Sequence, residues 1–390
     1  MECLFDSWDK RAIGGVAVLK KVLMISSYPT EGCGVSKYSE RLIKGLTEHN
    51  LNIYSERIYA HGNHLSSAVA WIKMLNTIRK LKPDILHIQY TPTITGVFLP
   101  LFLIILNMLR KSKKISVTKV VLTAHEKPTA YFEHTKTKWT KFLFWTYEKL
   151  VYTLSDVILV HTIEHKKEIY KFYKIEDKCK IIEYPLQIEN VPSSSSGITP
   201  AEDINRGMFT VTYFGIIRPS RGVDTLIKAF KIASSYDTNL RLIITGKIPE
   251  KFKKYYSYLQ KLVSDLNLKD KVLFRGFVPE KEISHLFESS DVIVLPYRKS
   301  TQSEVLHQAI TYKRPVIVTN IGGIGEIVKR FKIGEICEID DIECFVSKIL
   351  LLSGNRKLIS KYKFNTTHAT ETKSLKKTSE MYIKKIYRCS

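Results

Sequence analysis

The chain has 390 residues, too many for one compact core and enough for two α/β domains. Apolar residues make up 44% and charged residues 25%, which excludes wholesale disorder. Lysine and arginine outnumber aspartate and glutamate by 61 to 38, a formal net charge of +23, which suits nucleic acid, an anionic membrane surface or phosphorylated small molecules. The basic residues run along the whole chain with no zinc-finger, basic-zipper or RNP signature, so nucleic acid is not expected.

Asp6 and Asp9 stand where the apolar stretch of a signal peptide belongs, so no leader is expected in Met1 to Leu19. The first predicted strand is Lys21 to Ser27, followed by the turn Glu31-Gly32-Cys33-Gly34 and a helix with Val35, Tyr38, Leu42 and Leu46 on one face. Short apolar strands recur at Ile85 to Ile88, Val120 to Thr123 and Val157 to Val160. Between them, Val97 to Leu106 is shorter than the roughly 20 residues of a membrane span and contains Pro100, so it is expected as a buried covering helix. Val191 to Gly197 is rich in proline, serine and glycine and reads as a linker. Strands resume at Thr210 to Phe214, Arg241 to Thr245, Val272 to Phe274, Val292 to Leu295 and Val316 to Thr319, and Leu375 to Tyr387 looks helical and basic. Strands alternating with helices imply parallel βαβ units. The expected division is an N-terminal Rossmann-like domain over 1–190, a linker over 191–205, a second such domain over 206–365, and a C-terminal helix over 366–390 packing back toward the first.

Cysteines 3, 33, 179, 337, 344 and 389 form no C-x-x-C pair and no metal-ligand grouping with histidine. They read as reduced, mostly buried thiols in a cytosolic protein. The second half carries the densest chemistry. Tyr213 to Asp224 ends a strand, crosses a loop with Gly215, Arg218 and Arg221, and opens a helix burying Val223, Leu226, Ile227 and Phe230. Arginines beside a helix N-terminus suit a diphosphate, because guanidinium groups fork oxygens and the helix dipole adds to them. Two solvated surface arginines would look the same in isolation. Three further strand ends run into glycine-bearing or polar loops: Arg275-Gly276-Phe277-Val278, Tyr297 to Ala309, and Asn320 to Glu326. Convergence of such loops is what ligand binding at the carboxyl edge of a doubly wound sheet requires.

The ordered series F-G-x-I-R-P-x-[KR]-G, P-Y-x-x-x-x-Q-S and G-G-x-x-E resembles the family 4 glycosyltransferases, retaining enzymes of the GT-B fold, and the resemblance covers about residues 21 to 365. It implies an α/β fold of two facing Rossmann-like domains and transfer of a sugar from a nucleotide-diphosphate donor, UDP- or GDP-linked, to a glycan or lipid-linked acceptor. By that resemblance Arg218 and Arg221 contact the diphosphate, the turn at Phe277 and Val278 receives the base, and Gln302, Ser303 and Val305 cover phosphate and sugar. In the first half it points to Gly32 and Gly34, whose missing side chains let backbone N–H groups approach the donor, and to His125 in Thr123-Ala124-His125 as a partner of the sugar. An ordinary turn and a core histidine are the plain alternatives.

The family's E-x7-E pair is replaced here by Ser300 and Gln308. Gln308 can still bond a ribose hydroxyl, whereas Ser300 is too short to replace a carboxylate, and Glu304 is the candidate substitute. No D-x-D motif is present, so no metal and no other cofactor is implied, and arginines with helix dipoles would stabilise the leaving group. A sugar-nucleotide epimerase would need acid/base carboxylates and a phosphorylase a cofactor lysine. A catalytically silent, membrane-associated nucleotide-binding subunit is the rival supported by Ser300. Lys136, Lys138, Lys141 and Lys149 interleave with Trp139, Phe142, Phe144, Trp145 and Tyr147, and with Arg110, Lys111, Lys113 and Lys114 they suit peripheral docking on the cytoplasmic face of an anionic membrane. A core helix with a solvated lysine face is the alternative.

Overall fold

The computed structural model describes residues 20–26, 34–49, 51–58, 64–126, 128, 137–182, 207–300 and 302–387. Gly32 and the linker expected at 191–205 lie outside the described residues. The first half builds a six-stranded parallel sheet from β1 (Lys21–Ser26), β2 (Asn52–Arg57), β3 (Ile85–Tyr90), β4 (Lys119–Ala124), β5 (Val157–Val160) and β6 (Cys179–Ile181), in the order β2-β1-β3-β4-β5-β6. Its centre is covered on both faces, so β3 is buried at all six positions. Register pairs Leu23 with Leu86, and Leu86 in turn with Val120.

The helices of this half are α1 (Gly34–Thr47), α2 (His64–Leu81), α3 (Pro92–Thr95), α4 (Leu99–Lys111), α5 (Lys138–Leu154) and α6 (Ile163–Tyr173). Trp71, Phe102, Leu103 and Val151 from α2, α4 and α5 fill one face of the sheet. Tyr38, Leu42 and Leu46 of α1 fill the other. Pro100 is tolerated in the first turn of α4, where its missing N–H has no carbonyl to meet. The expected covering helix forms, with Leu99, Phe102, Leu103 and Leu106 facing the core, but its outer side is not buried, and Leu101 is exposed at 52%. The run is apolar on both sides, and only one side has a sheet to pack on.

A second six-stranded parallel sheet comprises β7 (Phe209–Phe214), β8 (Leu240–Thr245), β9 (Val272–Gly276), β10 (Val292–Leu295), β11 (Val316–Thr319) and β12 (Gly334–Cys337), in the order β12-β11-β10-β7-β8-β9. Helices α7 (Val223–Tyr236), α8 (Lys253–Asp265), α9 (Ile283–Glu288), α10 (Glu304–Thr311), α11 (Gly322–Phe331), α12 (Ile342–Ser353) and α13 (Arg356–Thr372) accompany it. One core of its own joins Phe230, Phe287, Leu295 and Phe345. The chain then returns to the first sheet. Helix α14 (Leu375–Tyr382) and a π-helical turn at Ile383–Tyr387 pack there, with Tyr382, Ile386 and Tyr387 inside the cluster that holds Tyr38.

The reading of all cysteines as reduced also needs correction. Cys337 ends β12 and Cys344 lies in the first turn of α12, and the two pair as a disulfide with their Cα atoms 5.7 Å apart. A tight turn through Asp340, at φ 58°, folds the seven-residue spacing back on itself. Cys179 is a free, buried thiol, raised to about 12 by burial, as expected for an inert core position.

Candidate active site

In a doubly wound sheet, ligands bind beyond the carboxyl ends of the strands where strand order reverses. In the second sheet the reversal lies between β7 and β10. The loops leaving these two strands carry Gly215 to Gly222 and Pro296 to Ser303. Gly222, at φ 64°, presses so close to β10's end that a Cβ would stand 1.9 Å from the Pro296 carbonyl oxygen. Gly246, at φ 143°, brings the loop after β8 against Gly215 in the same way, with 1.8 Å to that residue's oxygen. Only glycine permits this stacking of bare backbone. It gathers three strand ends into one shallow floor.

The arginines on this floor are not equivalent. Arg298 donates to both oxygens of Asp224, at 2.9 and 2.8 Å, to both oxygens of Asp340 at 2.9 Å each, and to the Pro219 carbonyl at 2.7 Å. It is fully engaged and ties the loop after β7 to that after β12. The Arg221 Cζ stands over the Tyr297 ring, 4.1 Å from its centroid, and the guanidinium donates to Ser300 Oγ at 3.2 Å. Ser300 in turn donates to the Gln302 carbonyl at 2.7 Å. Arg218 is half-buried, and its Nε has no hydrogen-bond partner among the described residues. Burial first, and then the neighbouring Arg221, lower its pKa. A cation held in that way favours an anion beside it.

Helix α10 begins at the same edge. Ser303 caps it, its Oγ accepting from Leu306 N at 3.2 Å, which leaves the O–H able to donate. The buried amide oxygens of Gln302 and Gln308 have no partner among the described residues. Val305 stands 3.7 Å from where a Gly215 side chain would begin, so this helix lies on the glycine loop. Beyond β9, Phe277 is 68% exposed and lines a cavity of about 650 Å³ with Gly246, Lys247, Ile248, Lys253 and Tyr256. The Val278 side chain is buried in the core.

Across from this floor is the first sheet, whose order reverses between β1 and β3. His125 follows β4, extends the ladder by donating its N–H to the Tyr90 carbonyl at 3.1 Å, and packs edge-on against Tyr38 at 4.9 Å. Its Nε2 lies 2.8 Å from Gln89 Oε1. The Gln89 amide also reaches His87 Nε2 at 3.3 Å, and His87 Nδ1 meets the Tyr387 hydroxyl at 2.6 Å. With the amide nitrogen donating to His87, the oxygen accepts from His125, and His125 is left with Nδ1 as its acceptor. Burial, then His161, His165 and His87, push the His125 pKa well down, so the ring is neutral.

The two halves touch at specific points. Both oxygens of Glu304, the first residue of α10, are bonded by the guanidinium of Arg41 on α1. Glu326 accepts from the Ile163 N–H, at 3.1 Å, at the start of α6. Gly323 leaves just enough room for Thr162 and Gln302, since a Cβ there would stand 2.4 and 2.6 Å from them. Lys37 reaches Glu280 at 3.2 Å. The structure thus brings together Gly215, Arg218, Arg221, Gln302, Ser303, Val305 and Gln308 at one edge, with Glu304 at the junction and His125 on the opposite side. Gly34 starts α1, and Gly32 lies outside the described residues. Sequence reasoning missed Gly246, Lys247, Gln89, Arg41 and Arg298. The Thr-Gly-Lys that follows the Arg241 to Thr245 strand was the available signal for the first two.

The chain is similar to several known proteins. Residues 198–368 match the family model of Glycosyl transferases group 1. An uncharacterized glycosyltransferase of Methanocaldococcus jannaschii is 27% identical over 254 residues, 64% of this chain and 58% of that protein. N-acetyl-alpha-D-glucosaminyl L-malate synthase of Bacillus anthracis is 29% identical over 146 residues, 37% of this chain and 34% of that protein. The matches thus span less than two thirds of these relatives' lengths. The crystal structure of HepE from Anabaena, in complex with UDP, superposes with a TM-score of 0.71 at 15% identity, covering 95% of this chain and all of that one. The two parallel sheets and this likeness show a GT-B fold.

Proposed function

We propose that the chain is a retaining glycosyltransferase. It takes a hexose-type sugar from a nucleotide-diphosphate donor and passes it to a glycan or lipid-linked acceptor at the carboxyl edge of the first sheet. The observation that carries this reading is the pair Arg218 and Arg221 at the β7/β10 reversal, beside the start of α7. Two guanidinium groups and a helix N-terminus offset the charge that builds on a departing diphosphate. That charge needs no metal when these groups supply the compensation. In the transfer, the bond from the anomeric carbon to the diphosphate oxygen breaks and one to the acceptor hydroxyl forms, with the hydroxyl proton passing to the departing phosphate. The cavity beside Phe277 has room and an aromatic wall for a nucleobase, Gln308 serves the ribose, and His125 bonds the sugar. UDP bound to the similarly folded HepE supports a uridine diphosphate donor ahead of a guanosine one.

Ser300 in the place of a carboxylate, and the engagement of Glu304 by Arg41, favour one second reading, a nucleotide-binding subunit that does not turn over. Incubation with radiolabelled UDP- and GDP-sugars and crude lipid or glycan acceptors separates the two. Labelled product is the result expected here. Nucleotide binding without product from any donor would establish the silent subunit.

A further inference from the structure

Helices α4 and α5 lie side by side against the first sheet, burying Phe102 and Leu103 from one and Val151 and Tyr152 from the other. Their outward faces are apolar as well. Leu101 and Met108 stand out from α4, and Trp139 and Phe142 from α5, the last two exposed at 66% and 54%. The rings of Trp139, Phe142 and Trp145 stack in a row, 6.0 and 6.3 Å apart. A helix face left to water ordinarily carries polar side chains. Two adjacent helices that depart from this together form a patch of the kind that marks a contact surface. Lysines border it: Lys138 and Lys141 in the first turns of α5, and Lys111, Lys113 and Lys114 at the far end of α4, all exposed. No described helix is long and apolar enough to cross a membrane.

We propose that this face seats the chain on an anionic lipid bilayer. Trp139, Phe142 and Leu101 enter the headgroup layer, and the flanking lysines meet lipid phosphates. Aromatic rings prefer that depth, and long lysine stems reach anions while their carbons cover apolar surface. Charge selects this occupant over a second copy of the chain, since a self-contact would set Lys138 and Lys141 against their own counterparts in a molecule of net charge +23. In parallel βαβ units the helix after a strand starts at the carboxyl edge. The first turns of α4 and α5 therefore lie on the edge of the sheet that carries His125, and a molecule seated on these helices holds that edge beside the membrane. Seating needs no sugar donor, so it stands or falls apart from the chemistry proposed above.

The test uses the full chain with vesicles of phosphatidylcholine alone or mixed with phosphatidylglycerol, floated at low and high salt. Flotation with the mixed vesicles is expected, with part of the protein retained at high salt, because apolar contacts do not screen. Brominated acyl chains should quench tryptophan fluorescence, and Trp139→Phe should remove most of that quenching while the protein still floats. Trp139→Glu with Phe142→Glu should cut the bound fraction at least ~tenfold, with an unchanged melting curve since both side chains are exposed. Complete release by salt without quenching would overturn insertion and leave only diffuse attraction. Absence of flotation would overturn the proposal outright. A lipid-free dimer split by the double glutamate variant would assign the face to a second copy.

Discussion

Glu304 answers to two demands. Its carboxylate is bonded by Arg41 from the other half, and it begins the helix that lies on the Gly215 loop. If it bonds sugar hydroxyls and steadies the positive charge that develops at the anomeric carbon, Glu304→Gln lowers kcat at least tenfold, about 1.4 kcal/mol, with donor affinity nearly unchanged. Ser300→Ala changes little, since that hydroxyl only joins Arg221 to the Gln302 backbone. Arg41→Gln separates sugar contact from domain bridging. Steady-state kinetics should show Arg41→Gln well above Glu304→Gln, and equal losses in the two would make Glu304 a bridge alone. Arg218 and Arg221 were legible because a strand, a glycine and a helix start frame them within a dozen residues. The structural duty of Arg298 was not, because Asp340 lies 42 residues away in sequence. Nor was the Gln89 link to His125, which depends on strands β3 and β4 being neighbours.

At the level of elements, the strands that were readable are those buried on both faces, such as β5, β10 and β11, whose apolar runs match their observed limits. Strands β2, β6 and β12 escaped notice because none has an unbroken apolar run: Asn52 to Arg57 is polar and half-exposed, Lys180 interrupts β6, and Gly334 and Glu335 open β12. Helix α5 hides a further feature beneath its exposed face. Glu148 is buried between the hydroxyls of Tyr90 and Tyr173, which donate to its two oxygens at 3.2 and 2.5 Å. Burial pushes its pKa up to about 7, with Glu126 adding to the rise and the two tyrosines opposing it. An acid raised in this way binds its proton more tightly folded than unfolded. Its contribution to stability is complete below the unfolded value near 4.5 and falls as pH climbs to about 7, with a slope of roughly 1.4 kcal/mol per pH unit for one proton. Urea melts across that window should show Glu148→Gln with a flatter pH dependence than the parent. Parallel profiles would mean the carboxyl is ionised and solvated throughout.

The whole molecule is two sheets whose strand orders each reverse once, and the contacts that join them among the described residues include the Arg41–Glu304 and Lys37–Glu280 pairs, the Glu326 bond to α6, and the close approach at Gly323. The last helix closes the chain back on the first sheet, where Tyr382 and Tyr387 meet Tyr38 and His87. The alternation of strands and helices foretold two such units, whereas their mutual contacts depend on side chains far apart in sequence and carried no local signal. The central claim is that the second unit holds a nucleotide diphosphate on Arg218 and Arg221, and calorimetric titration with UDP and GDP tests it most directly. Binding by the parent is expected, weakened by roughly 1.5–3 kcal/mol in Arg218→Ala and in Arg221→Ala, the range of charge-assisted hydrogen bonds, with both variants folded. Equal affinity in the parent and both folded variants would contradict it.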